Sequence, residues 1–321
     1  MNFETFGDSR GERLLGFPSC LIRWVGLVVL MLFPAPSAVA QLESHLSAYT
    51  GRNAPGYFGP VVDAIGADLS SGLYHTARIP KEGFHVSLEL VYMSARFSSA
   101  KRTFVAYTEG DFWPEQSAVA PTVVGSKEPV SVDGVAGTTF WFPGGFDLAA
   151  FDFATPQLRV GSIRGTEALV RFVLIPTGDE HLGTPSLYGV GFRHSVSQYF
   201  NDLPIDAAVG AFWQRSSLGE NERGGDIVSA EAWTVGFQAS KRYSWLEPYA
   251  GVAYNNLDLD LSYEGDSPED VVDLSLDSGD HFRMTLGVSV NVSFLAVHGE
   301  YNSGGQDAFA LGLAVGFHPL R

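Results

Sequence analysis

The sequence predicts an all-β protein, an antiparallel transmembrane β-barrel of about 10–14 strands with a short N-terminal helical plug. Three observations predict it. Near the C-terminus Phe309, Leu311, Leu313, Val315 and Phe317 alternate with Ala310, Gly312, Ala314 and Gly316. A period of two is a strand with one face in an apolar medium. The same alternation recurs back to Phe84, and the connections between strands are alternately short and long. The chain also opens with a secretory leader, and behind such a leader the pattern belongs to the bacterial outer membrane.

The leader comes first. Arg10, Arg13 and Arg23 precede an apolar run from Trp24 to Phe33, and Ala38-Val39-Ala40 fits a small-x-small cleavage site. Residues 1–40 thus read as a signal peptide cleaved near Ala40. The apolar run is too short for a membrane helix, and no later stretch reaches the roughly 18 apolar residues such a helix needs. A mature chain that spans a membrane must then do so as a closed barrel, which satisfies every backbone polar group in lipid. Cys20, the only cysteine, precedes the apolar run. The mature chain therefore has no disulfide and no thiol chemistry. The net charge of −16 argues against nucleic acid as a partner.

Residues 41–81 differ from the rest of the mature chain. Val61, Val62, Ile65 and Leu69 recur at near-helical spacing before Ser70-Ser71-Gly72, which predicts an amphipathic helix over 59–70. An ordinary helix packed under a domain and a plug tucked into a barrel both fit it. As a plug, it comes directly after the leader and occludes the barrel on its periplasmic side.

Residues 82–321 carry the barrel. Phe84, Val86, Leu88, Leu90 and Tyr92 alternate with His85, Ser87 and Glu89. Thr103–Tyr107 is a weaker strand, and 109–155 is a long Gly- and Pro-rich loop with a further short strand over 137–142. From Pro156 the alternation is sustained. It runs through Leu158, Val170, Tyr188, Val209, Trp233, Val252 and Leu286, with Gln214, Gln238 and Arg283 on the opposite parity. A change of parity at Asn255-Asn256 predicts a β-bulge. Short links near Arg164, Asn201, Ser244 and Asn291 fall on one side, flanked by Tyr199, Phe200, Tyr243 and Trp245 as an interfacial girdle. The polar loops 176–185, 218–227 and 264–280 fall on the other, the last an acidic loop expected to be mobile.

The face opposite the apolar one holds Glu89, Arg159, Glu167, Arg171, Arg193, Arg283, His298 and Glu300. These are the lumen or pore candidates. They fit a polar pore, and equally an interior salt-bridge network that fills a small barrel. His194-Ser195 cannot act as a hydrolase pair, since neighbours on a strand point to opposite faces. No histidine spacing supports a metal site. The acidic loop matches no Ca²⁺ motif and reads as a solvated loop. The sequence predicts no enzyme and no cofactor.

Gly56-Tyr57-Phe58, Gly72-Leu73-Tyr74-His75 and Gly83-Phe84-His85 resemble the start of an uncharacterised bacterial outer-membrane β-barrel family. Gly165-Thr166-Glu167, Arg171-Phe172, Gly189-Val190-Gly191 and His194-Ser195 are similar to it as well. A more distant likeness is to outer-membrane transporters of fatty acids and other hydrophobic compounds, barrels with an N-terminal hatch. Their N-terminal run ending in Asn-Pro-Ala is absent here. The resemblance implies a barrel and names no activity. The expected function is a channel or transporter for small hydrophobic or amphipathic solutes. The alternative is a non-conducting structural or adhesive barrel acting through its extracellular loops, and a soluble β-sandwich is a weaker third. The expected partners are outer-membrane lipid, the barrel-assembly machinery and small hydrophobic solutes.

Overall fold

The computed structural model describes Tyr49 and residues 51–174, 185–220, 226–264 and 271–317. The expected leader and its cleavage site lie outside these residues. Ten antiparallel strands close into a barrel. They are β1 (Glu82–Arg96), β6 (Ala150–Ile163), β7 (Thr166–Leu174), β8 (Ser186–Ser195), β9 (Asp206–Glu220), β10 (Asp226–Ser240), β11 (Leu246–Glu264), β13 (Phe282–Val292), β14 (Leu295–Ser303) and β15 (Ala308–Phe317). Each pairs with its neighbour around the ring. β1 closes on β15, with Leu90 opposite Leu313, and β10 joins β11, with Val235 opposite Tyr254. No helix among the described residues is long and apolar enough to cross a membrane.

The alternation sorts the two faces. Phe84, Leu88, Phe172, Phe192, Val235, Leu286, Leu311 and Leu313 point outward and are exposed, while His85, Glu89, Arg171, Gln214 and Ala310 point inward and are buried. An exterior of exposed Phe, Leu and Val around the whole wall has no reason to exist in water. Aromatics mark both edges of this belt. Tyr199, Phe200, Tyr243 and Trp245 are exposed beside the short links. At the other edge Tyr92 Oη donates to Asp152, Trp213 Nε1 to Glu231 and Tyr301 Oη to Asp307, each at 2.7 Å. Each aromatic thus keeps its ring in the belt and its polar tip on a carboxylate.

Three expectations about the strands need correction. The weak strands before residue 150 do not join the barrel. β2 (Thr103–Tyr107) pairs only with β3 (Ser117–Pro121), and β4 (Val130–Asp133) only with β5 (Thr139–Phe142). The two hairpins form a cap at the long-loop end between β1 and β6. There is no bulge at Asn255-Asn256, where β11 keeps an unbroken register with β10. The parity changes because the surroundings change. Val252 and Tyr254 face outward within the belt, whereas Leu257, Leu259 and Leu261 are buried inward and Asp258 and Asp260 face outward. Residues 264–280 are not a bare loop, since β12 (Val271–Asp277) folds back on β11 as a hairpin. The rest of that loop and of 176–185 and 218–227 lies in part outside the described residues.

The helix α1 is also longer than expected, Ala54–Leu69. Pro55 presets its first turn. Its C-terminal carbonyls are met by hydroxyls, Ser70 Oγ on Gly66 at 2.8 Å and Ser71 Oγ on Ala67 at 2.7 Å. Gly72, at φ +64°, then turns the chain out of the helix, a conformation that disfavours any side chain.

Candidate functional site

The barrel interior is the candidate site, and residues 51–81 run through it from one end to the other. At the long-loop end the helix docks under the cap. Asn53 acts as an extra strand partner for β2, donating Nδ2 to Tyr107 O at 2.7 Å and accepting from Tyr107 N at 2.8 Å. Tyr57 Oη donates to Gly144 O at 2.7 Å. Tyr49 and Tyr57 pack ring to ring at 4.6 Å, and burial pushes both phenols above their ordinary range. Asp63 takes Lys101 Nζ at 2.8 Å and Ser278 Oγ at 3.1 Å.

The middle of the segment is held by side chains of the wall reaching its main chain. Arg171 donates to Leu69 O at 2.8 Å and to Ser71 O at 2.7 Å. Gln214 donates to Leu69 O at 2.7 Å, and Gln157 to Gly72 O at 3.0 Å. Glu300 accepts from Gly72 N at 2.7 Å and from Tyr249 Oη at 2.9 Å. Chain that has left its helix inside a barrel must find such partners, because an unpaired buried amide costs about 1–3 kcal/mol.

Toward the short-turn end an ion-pair chain lies beside the segment. Glu89 pairs with Arg159, Arg159 Nε lies 3.5 Å from Glu167, and Glu167 pairs with Arg193. Opposite charges alternate along it, so no buried charge stands alone. Arg193 also covers the Tyr74 ring at 4.6 Å and donates to Thr76 O. His75 stacks on His298 at 4.5 Å, Thr76 bonds to Glu247, and Gly165 N donates to Lys81 O at 3.0 Å where the segment leaves the lumen.

All eight lumen candidates are buried inside, between 0 % exposed for Arg171 and 8 % for Glu300. Arg171, Arg193, Glu300 and His298 meet the threaded segment. Glu89 and Arg159 meet His75. Arg283 pairs with Asp280 at 2.8 Å and donates to Gln306 O at 3.2 Å, fastening the connections at the long-loop end, and its charge acts on Asp68 of the threaded segment. Of the plug residues, Val62 and Leu69 are buried while Val61 and Ile65 are half-buried. The helix lies in the long-loop half of the barrel, and only residues 72–81 reach the short-turn end, where the plug was expected. Its N-terminal end is tied to the cap, and the chain must travel the whole lumen before β1 begins.

Sequence reasoning missed neutral residues that share the holding: Gln157, Gln214 and Gln238, the last donating to Tyr74 O at 3.0 Å, and Tyr249, which bonds Glu300. Their inward parity was the available signal. It also missed His75, for which no spacing exists. His194 and Ser195 are on opposite faces, His194 bonded to Thr166 and Tyr199 at 2.8 Å and Ser195 to Ser197 at 3.2 Å. Beside Leu73, Tyr74, Phe212 and Phe237 a cavity of 60 Å³ remains, room for a few waters. Asp68, in the last helical turn, is 1 % exposed; burial holds its carboxyl well above the usual carboxylate range, against the opposing pull of the Arg283 charge and the Ala95 amide.

A family model described as a family of unknown function (DUF6588) matches residues 21–317. No curated protein matches the chain. Among solved structures, the outer-membrane protease OmpT from Escherichia coli is similar at 8% identity and TM-score 0.34, over 75% of this chain and 98% of that one. The transport unit of the autotransporter AIDA-I from Escherichia coli is similar at 11% identity and TM-score 0.28, over 83% and 99%. The toluene transporter TbuX of Ralstonia pickettii is similar at 10% identity and TM-score 0.24, over 80% and 97%. These likenesses are slight, and none says what this chain does.

Proposed function

We propose that this chain, which belongs to the family of unknown function DUF6588, is an outer-membrane β-barrel closed by its own N-terminal segment. The short-turn end then faces the periplasm, and the cap of β2–β5 with the β11–β12 hairpin faces outward, as the connection lengths of outer-membrane barrels require. One observation carries the reading. Residues 51–81 occupy the lumen from the cap to the short-turn end and take their main-chain hydrogen bonds from the wall. A barrel so filled does not conduct in this state, and its working surface is the cap.

Transport of small hydrophobic or amphipathic solutes is the second reading, and Asp68 favours it. Its carboxyl gains no side-chain hydrogen bond in the docked state, so it loses little when the segment leaves. Conductance in planar bilayers tests both. The full-length protein should be closed, and a form lacking residues 53–72 should assemble and conduct. Steady conductance by the full-length protein would overturn the closed barrel. A deleted form that inserts and still does not conduct would remove the segment as the cause of closure.

A further inference from the structure

His298 is 1 % exposed, and neither of its ring nitrogens has a hydrogen-bond partner among the described residues. A neutral imidazole carries one donor and one acceptor, so burying both unmet is costly and calls for an explanation. The ring has a made space. Gly312 faces it on β15, and a Cβ there would collide with His298 Nε2. The ring stacks on His75 of the threaded segment, and His75 Nδ1 lies 3.3 Å from Glu89 Oε1. Three elements thus bring two imidazoles and a carboxylate together, their ligating atoms all within 4.8 Å of one another and all three side chains buried.

We propose that His75, Glu89 and His298 form a site for a divalent transition-metal ion of the zinc class, which fastens the threaded segment to the wall. Two imidazoles and one carboxylate are a recurrent zinc set, with bonds of about 2.0–2.2 Å and a position left for water. Two adjustments are required. The stacked rings cannot both aim a lone pair at one point, so one must turn about its Cβ–Cγ bond. Arg159 must also withdraw, because it donates to His75 Nδ1 at 3.1 Å and to Glu89. It has somewhere to go: Glu167 Oε1 lies 3.5 Å from its Nε. Gln157 and Ser87 also touch Glu89 and can keep it oriented. Arg159 and the ion therefore compete for the same two atoms, and the site is one the guanidinium guards.

The test uses the full-length protein folded in detergent and stripped with chelator, then titrated with Co²⁺ and chased with Zn²⁺. The expected result is one Co²⁺ per chain, with the visible absorption of a low-coordinate site that Zn²⁺ abolishes. His75→Gln with His298→Gln should lower affinity by more than about a hundredfold, beyond what loss of an outer partner does. His194→Gln with His281→Gln should leave it unchanged. Arg159→Gln should raise affinity at least about tenfold, which a merely structural arginine would not do. Heat-modifiable migration on gels reports that each variant is folded, and Glu89→Gln replaces the double histidine variant should that one fail to fold. Absence of stoichiometric Co²⁺ binding, binding retained by the folded site variants, or binding weakened by Arg159→Gln would overturn the proposal. None of these results bears on whether the barrel conducts.

Discussion

Arg171 on the barrel wall donates to the main-chain carbonyl of Leu69 on the threaded segment at 2.8 Å, and with its other terminal nitrogen to Ser71 at 2.7 Å. It is fully buried. A cation so placed is held by what it fastens: the last carbonyls of a helix, where the backbone dipole favours positive charge.

Replacing Arg171 by Met should therefore do more than remove a charge. Ser71 O would lose this donor while Leu69 O keeps Gln214, at a cost of about 1–3 kcal/mol. Arg171→Lys should rescue little, because a single ammonium cannot reproduce the planar fork. Urea unfolding in detergent measures the loss, and protease cleavage between residues 69 and 75 reports whether the segment loosens first.

Gly72→Ala should strike the same place by a different route. Gly72 sits at φ +64°, and a Cβ there would run into Val91 of β1. Left-handed backbone costs a residue with a side chain about 1–2 kcal/mol before any clash. We expect a total near 2–4 kcal/mol, with the barrel still assembling and the segment more open to protease. A silent Gly72→Ala would mean that the segment does not turn there.

The lipid belt has its own test. Leu286, 64 % exposed at mid-wall, should cost about 2–4 kcal/mol when changed to Arg in lipid vesicles. Asp260 faces outward beyond the aromatic edge, and Asp260→Arg should fall within about 0.5 kcal/mol of the parent. Similar costs at both positions would contradict the belt.

How much of this was legible in the sequence depends on what period two can carry. It reports which face is apolar, so the wall and all eight inward residues could be read from strands such as Phe282–Val292. It does not report where the membrane ends. At Asn255-Asn256 the outward face turns from Tyr254 to Asp258 as β11 leaves the belt, and a change of surroundings looks like a bulge. The hairpins β2–β3 and β4–β5 are too short to keep a period. A helix within residues 59–70 that could serve as a plug was legible, but the path of residues 51–81 along the lumen was not. Its partners are main-chain groups met by Arg171, Gln157, Gln214 and Glu300, and a main-chain hydrogen bond leaves no mark on residue type. The meeting of His75, Glu89 and His298 is of the same kind, fixed by threading and not by spacing.

An engineered disulfide reports whether α1 lies inside the barrel. A Cβ at Gly66 would lie 3.5 Å from Leu257 Cβ, within the about 3.5–4.5 Å usual for a disulfide. Gly66→Cys with Leu257→Cys, in a chain whose Cys20 is replaced by Ser, should oxidise within one molecule to near completion. Each single variant should give a thiol protected from maleimide in the folded barrel. That outcome puts α1 against the inner wall of β11. Two freely reactive thiols and no cross-link in the heat-modifiable, folded protein would place the helix outside the barrel and contradict the account.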